Sequence, residues 1–301
     1  MTTSSTSRPT VGILWMLLAG ALFVGVNALV KLLGEGMPAT QAAFLRYALG
    51  LVFLLPVLPR LVRSRITPRH WRLFLLRGGF HGAGVALWFY AMTRIPLADV
   101  TAMNYMSPIY VTLGAALFMG EKLALRRILA IVVALIGALI ILRPGMREIT
   151  SGHYAMLGTA VIFAGSYMVA KQLADEVGAL LIVAMLSVVV TLMLLPLAIP
   201  VWVRPEWWQI GVLFGVAALA TTGHYVMTLA FAAAPMTVTQ PVTFLQLVWA
   251  VALGALAFGE AIDPFVMLGG GLIIASVCFI TWREAMVKRR SITPAPNATR
   301  V

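Results

Sequence analysis

Apolar residues in this chain gather into ten long runs, near 11–33, 38–58, 73–93, 97–119, 124–143, 154–174, 178–200, 208–231, 235–258 and 264–282. Each approaches the roughly 20 residues a helix needs to cross a bilayer. Turn residues and charges separate them: Gly34-Glu35-Gly36 with Pro38, Pro59 through Arg72, Pro96, Arg143-Pro144-Gly145, Pro205-Glu206, Pro235 and Asp263-Pro264. In lipid every backbone polar group must be paired within the chain, so runs of this length are expected to be helices. The pattern predicts an all-α integral membrane fold of ten transmembrane helices. The first run is too long for a signal peptide and nine more follow it. Connections are short, which leaves no room for an inserted soluble domain. Residues 1–10 read as a polar tail, and 287–301 as a basic, proline-containing tail of disordered composition.

Composition removes the soluble alternative. The chain is 61% hydrophobic and 11% charged, with a mean hydropathy of +0.97, against about 45–50% and about 25% in soluble domains. One cysteine, Cys278, forms no internal disulfide. The net charge of +12 is informative only through its placement, and it does not call for a nucleic-acid partner. Ten spans put both termini on one side. With that side cytoplasmic, 16 of the 22 basic residues fall inside, among them Arg60 through Arg77, Lys122, Arg126, Arg127, Lys171 and Arg283 through Arg300. Five fall outside (Lys31, Arg94, Arg143, Arg147 and Arg204), and Arg46 lies within a span. The positive-inside rule therefore predicts an N-in, C-in protein of the cytoplasmic (inner) membrane.

A motif recurs with its charges altered. Residues 117–127 read LFMGEKLALRR and 256–266 read LAFGEAIDPFV, which places Glu121 and Glu260 139 residues apart. At an offset of 140, Phe23 matches Phe163, Gly25 matches Gly165, Lys31 matches Lys171 and Leu54-Leu55-Pro56 matches Leu194-Leu195-Pro196. At 139, Gly84 matches Gly223, Ala91 matches Ala230, Pro96 matches Pro235 and Leu117 matches Leu256. Five spans per half force opposite orientations, so one copy of the loop is basic and inside while the other is stripped of basic residues and outside. This is the pattern of a 5+5 inverted repeat, the architecture of secondary transporters with a site near the midplane. The halves run over 11–145 and 154–284.

Residues 76–145 resemble the first repeat of an EamA-type transporter of the drug/metabolite transporter superfamily, through Arg77-Gly78, Tyr90-Ala91, Pro96-Leu97-Ala98-Asp99, Ser107-Pro108, Gly120-Glu121, Gly137 and Pro144. PVTFLQLVWAVALGALAFGE (241–260) is similar to the second repeat, and Arg46 stands where this family often has an arginine. The resemblance covers essentially 11–284. It implies ten helices, no ATPase partner and transport of a small metabolite by alternating access. Members that resemble it export amino acids and related compounds, or take up vitamins and nucleoside-like metabolites.

Intramembrane polar and ionisable residues are expensive, which makes them candidates for the substrate site. Arg46 lies about 12 Å into the second span by helical rise and is matched by Leu186 in the other half. A charge in one half alone suits an anionic or zwitterionic group; the alternative is a side chain that snorkels to the surface. His81 and His224 flank the matched glycines and can relay protons, or serve as interhelical hydrogen-bond partners. Asn27, Asn104, Tyr105, Gln246 and Trp249 are a third group, polar or aromatic at comparable depth. Trp88 and Tyr90 belong with them or, like Trp207 and Trp208, with an interfacial belt. No Asp or Glu falls at midplane depth. Gly120-Glu121 and Gly259-Glu260 read as structural: a left-handed glycine cap, then a glutamate beside the next helix's N-terminus.

Metal, nucleotide and nucleophile motifs are absent, so no metal, cofactor or enzymatic activity is expected, with a polytopic membrane enzyme the remote rival. The chain is read as a monomer or homodimer. It would export a polar amino-acid-like or metallophore-like compound, with uptake of a vitamin or nucleoside-like metabolite as the alternative.

Overall fold

The computed structural model describes residues 9–57, 59, 66–119, 125–174, 176–233 and 242–292. Gly120-Glu121, Lys122, Pro235 and Arg60 through Arg65 lie outside them. Among the described residues there is no strand, only an isolated bridge between Pro144 and Arg147. The helices are α1 (Pro9–Leu32), α2 (Ala39–Gly50), α3 (Pro68–Met92), α4 (Leu97–Asn104), α5 (Ser107–Met119), α6 (Leu125–Leu142), α7 (Ser151–Ala174), α8 (Ala179–Ala198), α9 (Trp207–Ala233), α10 (Leu245–Phe258) and α11 (Pro264–Ile292). Five described segments are long and apolar enough to cross a membrane: Thr10–Leu32, Ala39–Pro56, Ser151–Ala170, Leu180–Val201 and Trp207–Met227. Ile128–Leu142, Leu245–Phe258 and Pro264–Ile280 are shorter apolar stretches.

Local chemistry sets the ends. Thr67 caps α3 by accepting from the His70 N–H, the Thr67 N–H donates in return to His70 Nδ1, and Pro68 occupies the first helical position, a reciprocal box on a pre-set φ. α10 stops at Gly259, whose φ of 64° is the left-handed region where a Cβ is costly. The fourth apolar run is not one helix but two. A proline at 108 has no N–H to give the Asn104 carbonyl, and in an unbroken helix it would not be tolerated there, so the chain breaks at Tyr105–Met106 between α4 and α5. The second run also changes character, continuing from Leu51 to Val57 as a 3₁₀ helix. At the other end α11 continues to Ile292, past the start of the expected tail, because Lys and Arg are good helix formers.

The principal packing pairs among the described residues are α1 with α9, α3 with α7, α6 with α11, α2 with α8, α3 with α8, α5 with α7 and α2 with α9. If the halves are exchanged (α1 with α7, α2 with α8, α3 with α9, α4–α5 with α10, α6 with α11), six of these pairs map onto one another, and α5 with α7 maps onto the smaller contact of α1 with α10. Lipid offers no hydrophobic drive for helix association, so close approach at small residues carries the packing. A Cβ on Gly137 would lie 2.6 Å from the Gly269 carbonyl, and one on Gly269 would strike the Gly137 carbonyl. The outer shell is correspondingly apolar: the repeat mates Leu117 and Leu256 are 77% and 88% exposed.

Candidate functional site

Where the two sets of helices meet lies a cavity of about 270 Å³. α1 contributes Phe23 and Asn27, α2 Arg46 and Tyr47, α3 His81, Val85 and Trp88, and α4 Thr101 and Asn104, with Tyr105 just past its end. α7 adds Phe163 and Tyr167, α9 His224 and Met227, and α10 Gln246. Eight of the ten sequence candidates thus share one wall: Arg46, Asn27, His81, Trp88, Asn104, Tyr105, His224 and Gln246. Tyr90 and Trp249 stand elsewhere. The Tyr90 hydroxyl donates to Ser151 Oγ at 3.0 Å and its ring lies 3.8 Å from the Arg94 guanidinium carbon, an interfacial setting. Trp249 packs beside Gly20, where a Cβ would meet its ring at 2.9 Å.

Charge in the cavity is one-signed: among the described residues no carboxylate lines it. The Arg46 guanidinium sits over the Tyr47 ring at 4.1 Å, within the range of a cation–π contact, and takes part in none of the ion pairs among the described residues. A row of rings leads away from it. Tyr47 meets His81 edge-on at 6.2 Å, and His81 stacks on Phe163 at 5.0 Å. His81 Nδ1 also lies 3.4 Å from Ser166 Oγ.

The two halves repeat this device. Phe163 fills the space a Cβ on Gly84 would take, 2.6 Å away, and its repeat mate Phe23 does the same at Gly223, 3.2 Å away. His224 meets Phe23 edge-on at 5.1 Å. At the break between α4 and α5, Tyr105 packs edge-on against its repeat mate Phe244, just ahead of α10, at 5.2 Å and donates its hydroxyl to the Thr243 carbonyl at 3.0 Å. The Asn104 Oδ1 atom, beside that break, is buried without a hydrogen-bond partner. A smaller space of about 50 Å³ adjoins the cavity through Arg46, Tyr47 and His224, and runs between α2 and α8 past Ser187 and Thr221.

One end of the bundle is knitted by ions. Lys31 Nζ pairs with Glu260 at 2.5 Å and donates to the Ile95 carbonyl at 3.0 Å. Glu260 Oε2 accepts the Leu97 N–H at 2.9 Å. Glu260 therefore caps α4 across the fold rather than its own successor α11, which corrects the sequence expectation. Pro96 offers α4 no side-chain cap, and Asp263 already serves α11 by accepting the Phe265 N–H. Arg147 pairs with Asp99 and Asp263, Arg143 with Asp263, and His153 Nε2 lies 3.1 Å from Asp99. At the opposite end Glu176 holds Arg69 at 2.5 Å and His70 at 3.0 Å, and the bond from the Arg69 guanidinium keeps the Glu176 carboxyl below the usual carboxylate range. Sequence reading passed over Tyr47, Phe163 and Tyr167, since an aromatic residue in an apolar run carries no signal of facing inward. The His153–Asp99 contact joins residues 54 positions apart.

Comparison with known proteins adds to this geometry. The profile of the EamA-like transporter family matches residues 10–143 and again 150–282. The chain is 30% identical to a riboflavin transporter of Vibrio cholerae, over 94% of this chain and 97% of that one. It is 30% identical to a pseudopaline exporter of Pseudomonas aeruginosa, over 88% and 94%, and 23% identical to an S-adenosylmethionine uptake transporter of Rickettsia prowazekii, over 91% and 93%. A solved structure with 18% identity aligns over 95% of this chain and 100% of that one with a TM-score of 0.59, and so shares its fold.

Proposed function

Because the chain belongs to the EamA-like transporter family, we propose that it is a secondary transporter carrying a small organic metabolite across the cytoplasmic membrane by alternating access. The observation that carries this reading is the central cavity, formed jointly by both halves and lined, among the described residues, by one arginine, several amides and rings, and no acid. Ten spans in a 5+5 inverted arrangement, N-in and C-in, supply the frame, and the correspondence of most principal helix pairs on exchanging the halves supports it. Ion pairs at Lys31–Glu260 and Arg147–Asp99 hold one end of the bundle together. Opening that end requires these contacts to part while the other end closes around the same cavity.

Export of a polar amino-acid-like or metallophore-like compound is the direction and class we assign, with Arg46 receiving a carboxylate. Similarity to a pseudopaline exporter is in keeping with it. Uptake of a vitamin-like solute is the second reading, favoured by the Tyr47–His81–Phe163 row, which suits a planar ring, and by similarity to riboflavin transporters. Metabolite profiling of cells and medium with and without the gene selects the solute, and flux of that solute in proteoliposomes then tests the reading. A charge-assisted hydrogen bond is worth about 1.5–3 kcal/mol, so Arg46→Ala is expected to cut flux of a carboxylate solute by about 10–150-fold with expression unchanged. Undiminished flux would remove Arg46 from the site, and catalytic conversion of the solute without flux would replace the transporter reading by the enzyme one.

A further inference from the structure

Away from the central cavity, α6 and α11 touch at Gly137 and Gly269 and then part toward the basic end of the bundle. The repeat mates of these glycines, Ser276 and Ala130, line the slot that opens there, about 300 Å³ in volume. Leu129, Val133, Ala275 and Phe279 complete its walls. Its single hydroxyl, on Ser276, is spent on the Leu272 carbonyl at 2.9 Å, so the slot presents almost nothing but hydrocarbon. It faces the surface that lipid surrounds: Leu129, Val133 and Phe279 are all exposed.

Only the mouth is polar. Arg126 forms part of the lining. By helical rise it lies about 16 Å from the glycine crossing, and Arg283, one turn of α11 beyond Phe279, lies about 21 Å from it toward the same end. Neither arginine takes part in an ion pair among the described residues. Trp282, 57% exposed, stands beside them with its ring 6.3 Å from that of Phe279, as aromatic side chains do at headgroup level.

We propose that this slot is a binding site for an anionic phospholipid, with an acyl chain between α6 and α11 and the phosphate between Arg126 and Arg283. An acyl chain needs a long apolar channel open to the bilayer, and a phosphate needs guanidinium groups at the depth where the chain ends. Both lie here in one line. A second copy of the protein fits worse, because a two-fold contact on this face would set four arginines against one another. The site depends on the chain being embedded in lipid and is independent of what the cavity carries.

Native mass spectrometry of the full chain in detergent, titrated with phosphatidylglycerol or phosphatidylcholine of identical acyl chains, tests the proposal. Phosphatidylglycerol is expected to be retained at lower concentration. Each arginine near an anionic headgroup is worth about fivefold, so Arg126→Gln with Arg283→Gln is expected to weaken phosphatidylglycerol retention roughly 25-fold. Ala275→Trp, which fills the slot from an exposed position, is expected to reduce retention of both lipids. Equal retention of the two lipids by the unaltered protein would overturn the proposal, as would a preference that survives the arginine substitutions or retention unaffected by Ala275→Trp. So would a dimer that Ala275→Trp converts to monomer. Should the arginine variant not purify, Ala275→Trp alone decides the matter.

Discussion

Asp99 holds a carboxylate 1% exposed between the Arg147 guanidinium and the His153 ring. Desolvating such a charge is tolerable only while its partners remain, and removing one side strands the other. Asp99→Asn is expected to lower stability by about 1–3 kcal/mol, toward the smaller figure because Arg147 keeps Asp263 at 3.6 Å; a melting curve in detergent that does not move would show the pair to be stability-neutral. Glu176 gives a pH effect of defined sign. Its carboxyl is held low by Arg69, so its contribution is present above the ordinary carboxylate range and fades as pH falls through its lowered value. Arg69→Gln is expected to flatten the acid limb of a melting-temperature profile, and a limb unchanged by the substitution would count against the pair. Residues of these two kinds differ in how far the sequence announces them. Arg46, His81 and His224 stand out because a polar group inside an apolar run is costly and rare. The partners of Asp99 do not, since Arg147 and His153 sit in and beside a loop about 50 positions away with no local pattern pointing back.

Elements follow the same division. Across the described residues helix existence was legible from run length, because lipid permits the backbone no other way of satisfying itself. The break between α4 and α5 departs from the single span expected over 97–119, and its consequence, a buried Asn104 Oδ1 without a partner beside the meeting of Tyr105 and Phe244, needs three dimensions. The crossing of α6 and α11 shows why a glycine count alone misleads. Gly137 and Gly271 look alike in sequence, but a Cβ at Gly137 would press on the Gly269 carbonyl at 2.6 Å, while at Gly271 it would meet nothing within 4 Å. Overpacking costs about 1–3 kcal/mol, which exceeds the gain of up to about 1 kcal/mol from replacing a helical glycine by alanine. Gly137→Ala is therefore expected to destabilise the protein and Gly271→Ala to leave it unchanged or slightly more stable. Equal melting temperatures for the two variants would mean that the helices slide apart without cost.

At the scale of the molecule, one arrangement joins the charge pattern, the repeat and the cavity. Two halves of like sequence whose spans run in opposite senses can enclose a shared cavity whose ends take turns at opening as the halves exchange shapes. Parallel halves would present two copies of each loop on the same face, and positive-inside bias would then keep both basic. Instead Arg126 and Arg127 follow the end of α5, while Ala261-Ile262-Asp263 follows α10. The loop after α10 is tied to its surroundings by Lys31 and Arg143, so its acids are neutralised from other segments and not by its own. Leu125 is 70% exposed and Ile262 62% exposed, which makes both accessible to a membrane-impermeant thiol reagent once Cys278 is replaced. Ile262→Cys is expected to react in intact cells, and Leu125→Cys only after the membrane is opened. If both react from the same side, the halves are not inverted, and no motion that exchanges their shapes could pass a solute through the space between Arg46 and Gln246.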